Sequence, residues 1–299
     1  MGAALAYGVS TLFVRAGSVH ADGYVATLFM GGPAWIGSLL WTLGGRRQRT
    51  QMVPGNPAFL GYPLLATVAA SGVAIYAVGN PLYIRSMQLA GVVLTTPAVQ
   101  MQVLWAALLA AVLLAETVSR SAVLGISMFL AGMAALAWGQ AGLPALTGGW
   151  LGGVLLGVAA GFCWSLGNVL MRKGLDRGQS VPGALAVANT AGFGLLLVFL
   201  AATGRWADVA ALPPGTLLAL VGSGLTNAAA QYCLVSALAN TTVASVAVIT
   251  ATYVGAVAVA GHLLFGDALN VVMAAGVVLV MASVPLVQTR PTPPTAVAG

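Results

Sequence analysis

Charge is what this sequence lacks most. No Asp, Glu, Lys or Arg occurs in the 51 residues between Arg120 and Arg172, or in the 58 residues between Asp208 and Asp267. Charged residues make up 5% of the chain and hydrophobic residues 60%, with a mean hydropathy of +0.98, whereas soluble domains contain roughly 25% charged residues. This scarcity of charge excludes a water-soluble fold and predicts a polytopic membrane protein.

Cysteines, basic runs and catalytic motifs are scarce as well. The two cysteines, Cys163 and Cys233, lie inside apolar stretches, which excludes a secreted scaffold built on disulfides. The pI is near 9.8, but the 11 basic residues are scattered, as loop anchors are, so no nucleic-acid partner is expected. The sequence has no HExxH, no GxSxG and no cluster of His or acidic residues. We therefore expect neither an enzyme nor a bound metal or cofactor.

The apolar runs predict an all-α membrane protein. About 20 apolar residues cross the hydrocarbon core as a helix, and the runs are continuous, unlike the alternating strands of a barrel. Charged residues and Pro/Gly clusters divide them into ten helices. Their predicted ranges are 2–18, 24–43, 59–88, 92–115, 121–139, 150–172, 182–202, 214–238, 242–265 and 269–288. A disordered tail is predicted for 289–299.

Basic residues divide unequally between the loops on the two sides of the membrane. The side that holds the termini has eight, namely Arg46, Arg47, Arg49, Arg120, Arg172, Lys173, Arg177 and Arg290. The other side has three, namely Arg15, Arg85 and Arg205. Because Lys and Arg are retained on the cytoplasmic side, both termini are predicted to be cytoplasmic, in the inner membrane.

The two halves of the chain repeat weakly, at an offset of 150 to 157 residues. Gly72 corresponds to Gly222 and Ser86 to Ser236, while Glu116 with Gly125 corresponds to Asp267 with Gly276. The predicted units are residues 1–139 and 150–288, joined by a linker at 140–149. Each unit has five helices, an odd number, so the second unit is inverted relative to the first. Inverted repeats around a midplane cavity allow alternating access.

Three motifs carry a family resemblance. They are Cys163-Trp164-Ser165 leading to Arg172-Lys173, the helix end Ser86-Met87-Gln88-Leu89-Ala90, and Leu113-Leu114-Ala115-Glu116 followed by Gly125 and Gly132. Over residues 1–288 the sequence resembles the EamA-like family of the drug/metabolite transporter superfamily. The resemblance implies ten helices in two inverted five-helix repeats and an activity that moves small metabolites, often as an exporter. The chain departs from the family where Glu-Pro is usual, since Gln102-Val103 and Tyr253-Val254 stand there.

Glycines and acidic residues add two expectations about mechanism. Gly149, Gly153, Gly157 and Gly161 recur every four residues, which predicts a close helix contact or a smooth sliding surface. All five acidic residues fall at predicted helix ends or in loops, so a carboxylate relay for protons or sodium is not expected. Glu116 and Asp267 either anchor helix ends or gate through ion pairs. His262 is either an ordinary hydrogen-bonding residue or a group that titrates near neutral pH.

Uncharged polar and aromatic side chains within the helices supply the candidate binding site. Because an unpaired amide is unfavourable in hydrocarbon, these side chains should face a cavity or one another. The candidates for the wall of a substrate cavity are Asn80, Gln102, Trp105, Trp164, Asn168, Asn227, Gln231 and Tyr253. Trp164 lies one turn from Asn168, which places a flat apolar ring beside an amide. Pro81 and Pro97 either free backbone carbonyls that shape the site or are tolerated bends.

These features predict a secondary carrier for a small neutral or zwitterionic metabolite, with an amino acid as the first choice. A buried net charge on the substrate would lack a counter-ion. A uniporter or exchanger that works as an exporter is favoured, and a lipid or lipid-linked flippase of the same fold is the alternative. A channel would require rings of charge or a filter formed by an oligomer. The predicted partners are the substrate and the lipid bilayer; a monomer suffices to enclose the cavity, and a dimer is compatible.

Overall fold

The computed structural model describes residues 2–17, 21–115, 119–140, 149–254 and 270–287. Within these ranges the regular secondary structure is entirely helical. The helices are α1 Gly2–Gly17, α2 Gly23–Gly44, α3 Arg46–Thr50, α4 Tyr62–Gly72, α5 Asn80–Gln100, α6 Gln102–Leu114, α7 Arg120–Gln140, α8 Trp150–Asp176, α9 Val181–Ala202, α10 Trp206–Ala210, α11 Pro214–Leu238, α12 Val243–Ala251 and α13 Val271–Val287. A π-helical segment, Val73–Gly79, joins α4 to α5.

Several of these helices have the length and composition of membrane spans. Among the described residues five qualify, namely Gly23–Gly44, Tyr62–Ala90, Leu151–Asp176, Val181–Ala202 and Pro214–Leu238. Four shorter helices, Gly2–Val14, Ala98–Leu114, Arg120–Ala135 and Val271–Ser283, are also apolar. The chain is therefore an all-α integral membrane protein, as the sequence indicated, while the count of ten spans stays a prediction.

Several predicted helix boundaries agree with the structure to within one residue. The helix predicted at 214–238 is α11, and those predicted at 182–202 and 121–139 differ from α9 and α7 by one residue at one or both ends. The short helices α3 and α10 were not predicted, because five-residue helices in loops leave no apolar run. The predicted third helix ends at 88 and the fourth starts at 92, whereas α5 stays helical from Asn80 to Gln100 and the next boundary falls at Met101.

The chain nevertheless turns back within α5. The hydroxyl oxygens of Ser86 and Thr95 lie 2.8 Å apart, whereas nine residues of straight α-helix would advance about 13.5 Å. Helix α8 contacts both arms of the turn, since Gly153 faces Ala90 and Gly161 faces the Val99 carbonyl. The reversal between the predicted third and fourth helices is therefore present, as a tight helical bend.

The glycine stripe of α8 forms the close contact that its spacing predicted. A Cβ atom at Gly153 would meet the Ala90 Cβ at 2.6 Å, and one at Gly157 would meet the Ser86 Oγ at 2.9 Å. The Val99 carbonyl oxygen would lie 2.5 Å from a Cβ at Gly161. No other residue fits at these positions without displacing α5, so α8 and α5 pack backbone to backbone.

Hydrogen bonds tie loops from the two halves together at opposite ends of the helices. At one end Gln51 Nε2 donates to the Gly178 carbonyl at 2.9 Å and Thr42 Oγ1 to the Pro182 carbonyl at 3.2 Å. At the other end Arg205 Nη1 donates to Asp22 Oδ2 at 2.6 Å. The loop after α3 and the loop after α8 thus share one face, which carries Arg46, Arg49 and Arg177, and the loop after α9 lies at the opposite face.

Some predictions fall outside the described residues. These are the roles of Glu116, Asp267 and His262, the part of the ninth helix beyond Val254, linker residues 141–148 and the tail at 289–299.

Candidate functional site

A cavity of about 120 Å³ lies roughly halfway along the helices, where both halves of the chain meet. Helices α1, α2, α5, α6, α8, α9, α11 and α12 and the π segment contribute to its wall. The lining residues are Tyr7, Ser10, Thr11, Val14, Met30, Ile75, Tyr76, Asn80, Tyr83, Gln102, Trp164, Asn168, Met171, Leu185, Asn227, Gln231, Leu234, Val235, Thr250 and Tyr253. We refer to it as the central cavity.

Seven of the eight candidate wall residues line the central cavity. They are Asn80, Gln102, Trp164, Asn168, Asn227, Gln231 and Tyr253. Trp105 is the one that does not, which corrects its predicted position. It lies one turn beyond Gln102 on α6, and its ring meets Phe162 of α8 edge to face at 5.5 Å. Trp105 was a candidate because the repeat places its helix beside the cavity, but its ring packs against Phe162 of α8 and lies away from the cavity.

Most of the polar wall residues also hydrogen-bond across helices. Trp164 Nε1 donates to Asn80 Oδ1 at 2.9 Å, which joins α8 to α5. Tyr76 Oη donates to Gln231 Oε1 at 2.7 Å, and Asn227 Nδ2 donates to the Met30 carbonyl at 3.0 Å. These polar side chains therefore both face the cavity and bond one another. Among the described residues, the pairing leaves Asn80 Nδ2, Asn227 Oδ1 and the Asn168 amide available to a bound molecule.

The π segment places two of these residues on the wall. The Asn80 amide donates to the Ile75 carbonyl, a π-type bond five residues back. Pro81 explains the distortion, because proline has no N–H and its ring excludes the carbonyl four residues earlier. Tyr76, within this segment, and Asn80, at its end, both line the central cavity, and π segments of this kind are frequent at functional sites. The distortion therefore lies beside the site, which favours the interpretation that Pro81 shapes it.

Among the described residues, the wall of the central cavity carries no Asp, Glu, Lys, Arg or His. Among the described residues the nearest charged groups lie at the two ends of the bundle. Arg172 pairs with Asp176 at 2.8 Å and donates to the Leu238 and Thr241 carbonyls, at the C-terminus of α11, where cations are favoured. Bound molecules would therefore meet dipoles and aromatic faces but no fixed charge.

The ion pair at the other end is that of Asp22 and Arg205. Asp22 also accepts from the Tyr24 amide at 3.0 Å as the N-cap of α2, and the Arg205 guanidinium lies 5.6 Å from the centre of the Tyr24 ring. The hydrogen bond and charge of Asp22 raise the pKa of Arg205 above its ordinary value. Arginine is always charged in proteins, and Asp22 supports that state here.

Sequence reasoning missed a group of hydroxyl-bearing wall residues. Tyr7, Ser10 and Thr11 of α1 and Tyr83 of α5 line the central cavity. The rings of Tyr7 and Tyr253 lie 6.2 Å apart, and those of Tyr83 and Trp164 lie 5.2 Å apart. A signal was present in the sequence, since residues 7, 10 and 11 have the spacing of one helix face, but α1 was treated only as a span.

Comparison with curated proteins gives no match. One solved crystal structure of another protein superposes with a TM-score of 0.73 over 96% of this chain and 94% of its own, at 16% identity. At that identity the likeness concerns the fold alone.

A family comparison is more specific. The model of the EamA-like transporter family matches residues 151–289. That family consists of membrane transporters of the drug/metabolite type and not of enzymes. The match agrees with the resemblance seen in the sequence and with the apolar helices of the fold. Residues 151–289 are thus similar to the EamA-like transporter family, which is consistent with the drug/metabolite transporter superfamily.

Proposed function

We propose that the chain is a secondary carrier that moves a small neutral or zwitterionic organic molecule, such as an amino acid, across the inner membrane by alternating access. The observation that carries the proposal is the central cavity itself. It lies about halfway along the helices, its wall has amide and hydroxyl groups beside aromatic rings, and none of the described residues that line it is charged. Such a lining suits a molecule with an apolar part and polar ends.

The proposed architecture is two inverted five-helix repeats, residues 1–139 and 150–288. Support comes from α2 and α9, the second helices of the two proposed repeats, which contact each other. Trp35 Nε1 of α2 donates to Thr190 Oγ1 of α9, 155 residues apart and within the range of offsets of the sequence repeat. Ser38 and Asn189, 151 residues apart, are also bonded. A twofold axis produces such contacts, because residues that lie on it meet their own equivalents.

The same axis accounts for the packing of α7 against α13, the last helices of the two proposed repeats. A Cβ at Gly132 would meet the Gly276 carbonyl oxygen at 2.8 Å, and the Asn270 amide donates to the Gly139 carbonyl at 2.7 Å. The two helices run antiparallel, as helices related by an axis in the membrane plane must. Rocking of one repeat against the other would expose the central cavity to each side in turn.

Transport would follow the gradient of the substrate, as in a uniporter or exchanger. No carboxylate lines the central cavity among the described residues, so the usual intramembrane site for a proton or sodium ion is missing there. Export is the direction proposed, since the family resemblance favours it, and both termini are proposed to be cytoplasmic. The direction of net flux depends on the gradients alone.

Two steps test the carrier. Metabolites released by cells with and without the protein are first compared without preselection to choose a substrate. Purified protein is then reconstituted in liposomes loaded with unlabelled substrate, and entry of labelled substrate is followed. Saturable counterflow is expected, and its absence for every metabolite enriched by the cells contradicts the proposal.

The flippase alternative has a separate readout in the same liposomes. Fluorescent lipid in the outer leaflet is bleached with dithionite, and bleaching beyond one half reports lipid movement between leaflets. We expect no such movement. Rapid scrambling without counterflow would replace the carrier by a flippase of the same fold.

A further inference from the structure

A second pocket opens from the side of the bundle. It has a volume of about 170 Å³ and lies between α2, α9 and α11. Gly37 and Trp41 of α2, Leu185 and Asn189 of α9, and Gln231 of α11 contribute to its wall. It lies toward the end of the bundle where Thr42 bonds the Pro182 carbonyl, the end whose loops carry most of the basic residues. We refer to it as the side pocket.

The side pocket adjoins the central cavity. Leu185 and Gln231 line both of them, so these two side chains form the partition between the two spaces. Gln231 is held from the central side by its hydrogen bond from Tyr76. A change of rotamer at Gln231 and Leu185 would join the two spaces without unfolding any helix.

The side pocket faces the hydrocarbon of the bilayer. A Cβ atom at Gly37 would meet nothing within 4 Å, so the wall is open there. Trp41 and Tyr232 stand beside the opening with stacked rings 5.1 Å apart, and 55% and 38% of their surfaces are exposed. Since these residues lie on apolar helices long enough to span the membrane, the opening leads to lipid rather than to water.

One polar atom within this apolar pocket lacks a partner. Asn189 is fully buried, and its Nδ2 donates to Ser38 Oγ at 3.3 Å. Its Oδ1 accepts no hydrogen bond from any of the described residues. A buried carbonyl oxygen without a donor is unfavourable. A molecule in the side pocket that offers a hydroxyl or amine hydrogen would satisfy it.

We propose that the side pocket is an entrance from the bilayer for amphipathic substrates. A membrane-dissolved molecule with a compact apolar part and one hydrogen-bond donor enters beside Gly37, donates to Asn189 Oδ1 and passes Gln231 into the central cavity. The proposal rests on the carrier function, and among the substrates proposed for it this entrance specifies neutral molecules that partition into lipid rather than zwitterions. A water-soluble metabolite would instead enter from the ends of the bundle.

Photolabelling tests the pocket without knowledge of the substrate. The probe is a diazirine derivative of 1-octanol, applied to the full-length protein in lipid nanodiscs, and labelled residues are mapped by mass spectrometry. Labels are expected on residues 33–41 of α2 and 228–232 of α11, with competition by excess 1-octanol. Gly37→Phe should reduce this labelling at least fivefold because the ring fills the opening. Gly32→Phe is the matched control, since Gly32 also lies on α2 with nothing within 4 Å of its Cβ position.

Asn189→Leu tests the hydrogen bond, because it keeps an apolar wall and removes the acceptor. It should lower labelling by the octanol probe but not by a diazirine derivative of octane. Equal labelling in Gly37→Phe and Gly32→Phe would overturn the pocket, and an equal effect of Asn189→Leu on both probes would overturn the role of Oδ1.

Counterflow separates this inference from the carrier on which it rests. Gly37→Phe should slow counterflow of the identified substrate at least fivefold relative to Gly32→Phe. If labelling is lost in Gly37→Phe while counterflow is unchanged, the entrance is wrong and the carrier stands. If the pocket is labelled as expected while the parent protein shows no counterflow, the carrier is wrong and the entrance is withdrawn with it.

Discussion

At the residue scale, the central cavity is built from polar side chains that pair with each other. Asn80, Trp164, Tyr76 and Gln231 use one hydrogen-bonding atom for a neighbouring helix and keep the rest of the side chain at the wall. A polar group in an apolar bundle is costly without a partner, so this arrangement makes the wall stable when nothing is bound. It also fixes the rings and amides before a substrate arrives, which lowers the entropy cost of binding.

The hydrogen bond from Trp164 to Asn80 gives a test at this scale. Trp164→Phe keeps an aromatic ring and removes the Nε1 donor, which leaves Asn80 Oδ1 unpaired. A lost hydrogen bond of about 0.5–1.5 kcal/mol should raise the KM for counterflow roughly twofold to tenfold. Trp138→Phe is the matched control, since Trp138 is 80% exposed on α7 and should leave KM unchanged. Equal KM values in the two variants would show that Trp164 does not contact the substrate or position Asn80.

At the element scale, glycine and proline set the shapes of the helices that surround the cavity. The stripe Gly153, Gly157 and Gly161 lets α8 approach α5 at backbone distance. Pro81 widens the preceding turns into the π segment. Both features are local in sequence, yet each fixes where wall residues of the central cavity lie.

Gly157 tests the helix contact. Gly157→Leu would drive a side chain into Ser86 Oγ and Ala98 Cβ, which lie 2.9 and 3.0 Å from the Cβ position. Overpacking of this kind costs about 1–3 kcal/mol, so the melting temperature of the purified protein should fall by roughly 3–10 °C. Gly152→Leu, on the same helix with nothing within 4 Å, should melt like the parent. Normal melting and normal transport by Gly157→Leu would contradict the close packing.

Pro81 tests the π segment. Pro81→Ala restores an amide that can donate to the Ala77 carbonyl, which favours a regular α-helix and turns Tyr76 away from Gln231. Counterflow should fall at least tenfold, by more than the loss of one hydrogen bond would predict, while the melting temperature stays the same or rises. Pro63→Ala is the control, because Pro63 lies in the first turn of α4, where a backbone N–H has no carbonyl partner within the helix and so changes no helical hydrogen bond. A drop in melting temperature with unchanged transport would mean that Pro81 serves stability alone.

At the scale of the whole molecule, the distribution of loops ties the inverted repeat to alternating access. The loop at Gln51 contacts the loop at Gly178, and Asp22 pairs with Arg205 at the other end. Each end of the bundle is thus closed by contacts between the two proposed repeats. A carrier must break the contacts at one end while it keeps those at the other. Because each set contains few polar bonds, breaking one set costs little free energy.

Labelling of single cysteines tests the sidedness. In a background without Cys163 and Cys233, cysteines replace Arg46, Arg177 and Thr203 one at a time, and a membrane-impermeant maleimide is added to intact cells or to inverted vesicles. Arg46→Cys and Arg177→Cys should react only in inverted vesicles, because basic loops stay in the cytoplasm. Thr203→Cys should react only in intact cells. Reaction of Arg46→Cys and Arg177→Cys from opposite faces would rule out the inverted repeat and the carrier built on it.

The amino-acid sequence alone determined that the chain is helical, membrane-spanning and free of charge along its apolar runs. An apolar solvent demands that each span satisfy its own backbone, so the runs fix the helices; the one predicted at 214–238 is α11 without change. The polar residues inside the runs also pointed to the central cavity, because hydrocarbon leaves them few other places. Seven of eight candidates line it.

Only the tertiary structure decided which way individual side chains turn. Trp105 packs on Phe162 although Gln102, one turn earlier, faces the cavity. In a water-soluble protein, polar residues mark the outer face of a helix. Lipid and the protein interior are both apolar, so the sequence of a membrane helix shows only weakly which face packs against the protein. The reversal within α5, the pairing of Tyr76 with Gln231 and the side pocket at Asn189 all depend on contacts between distant segments. Close packing of those segments, and not the pattern within any one of them, fixes where the bound molecule can lie.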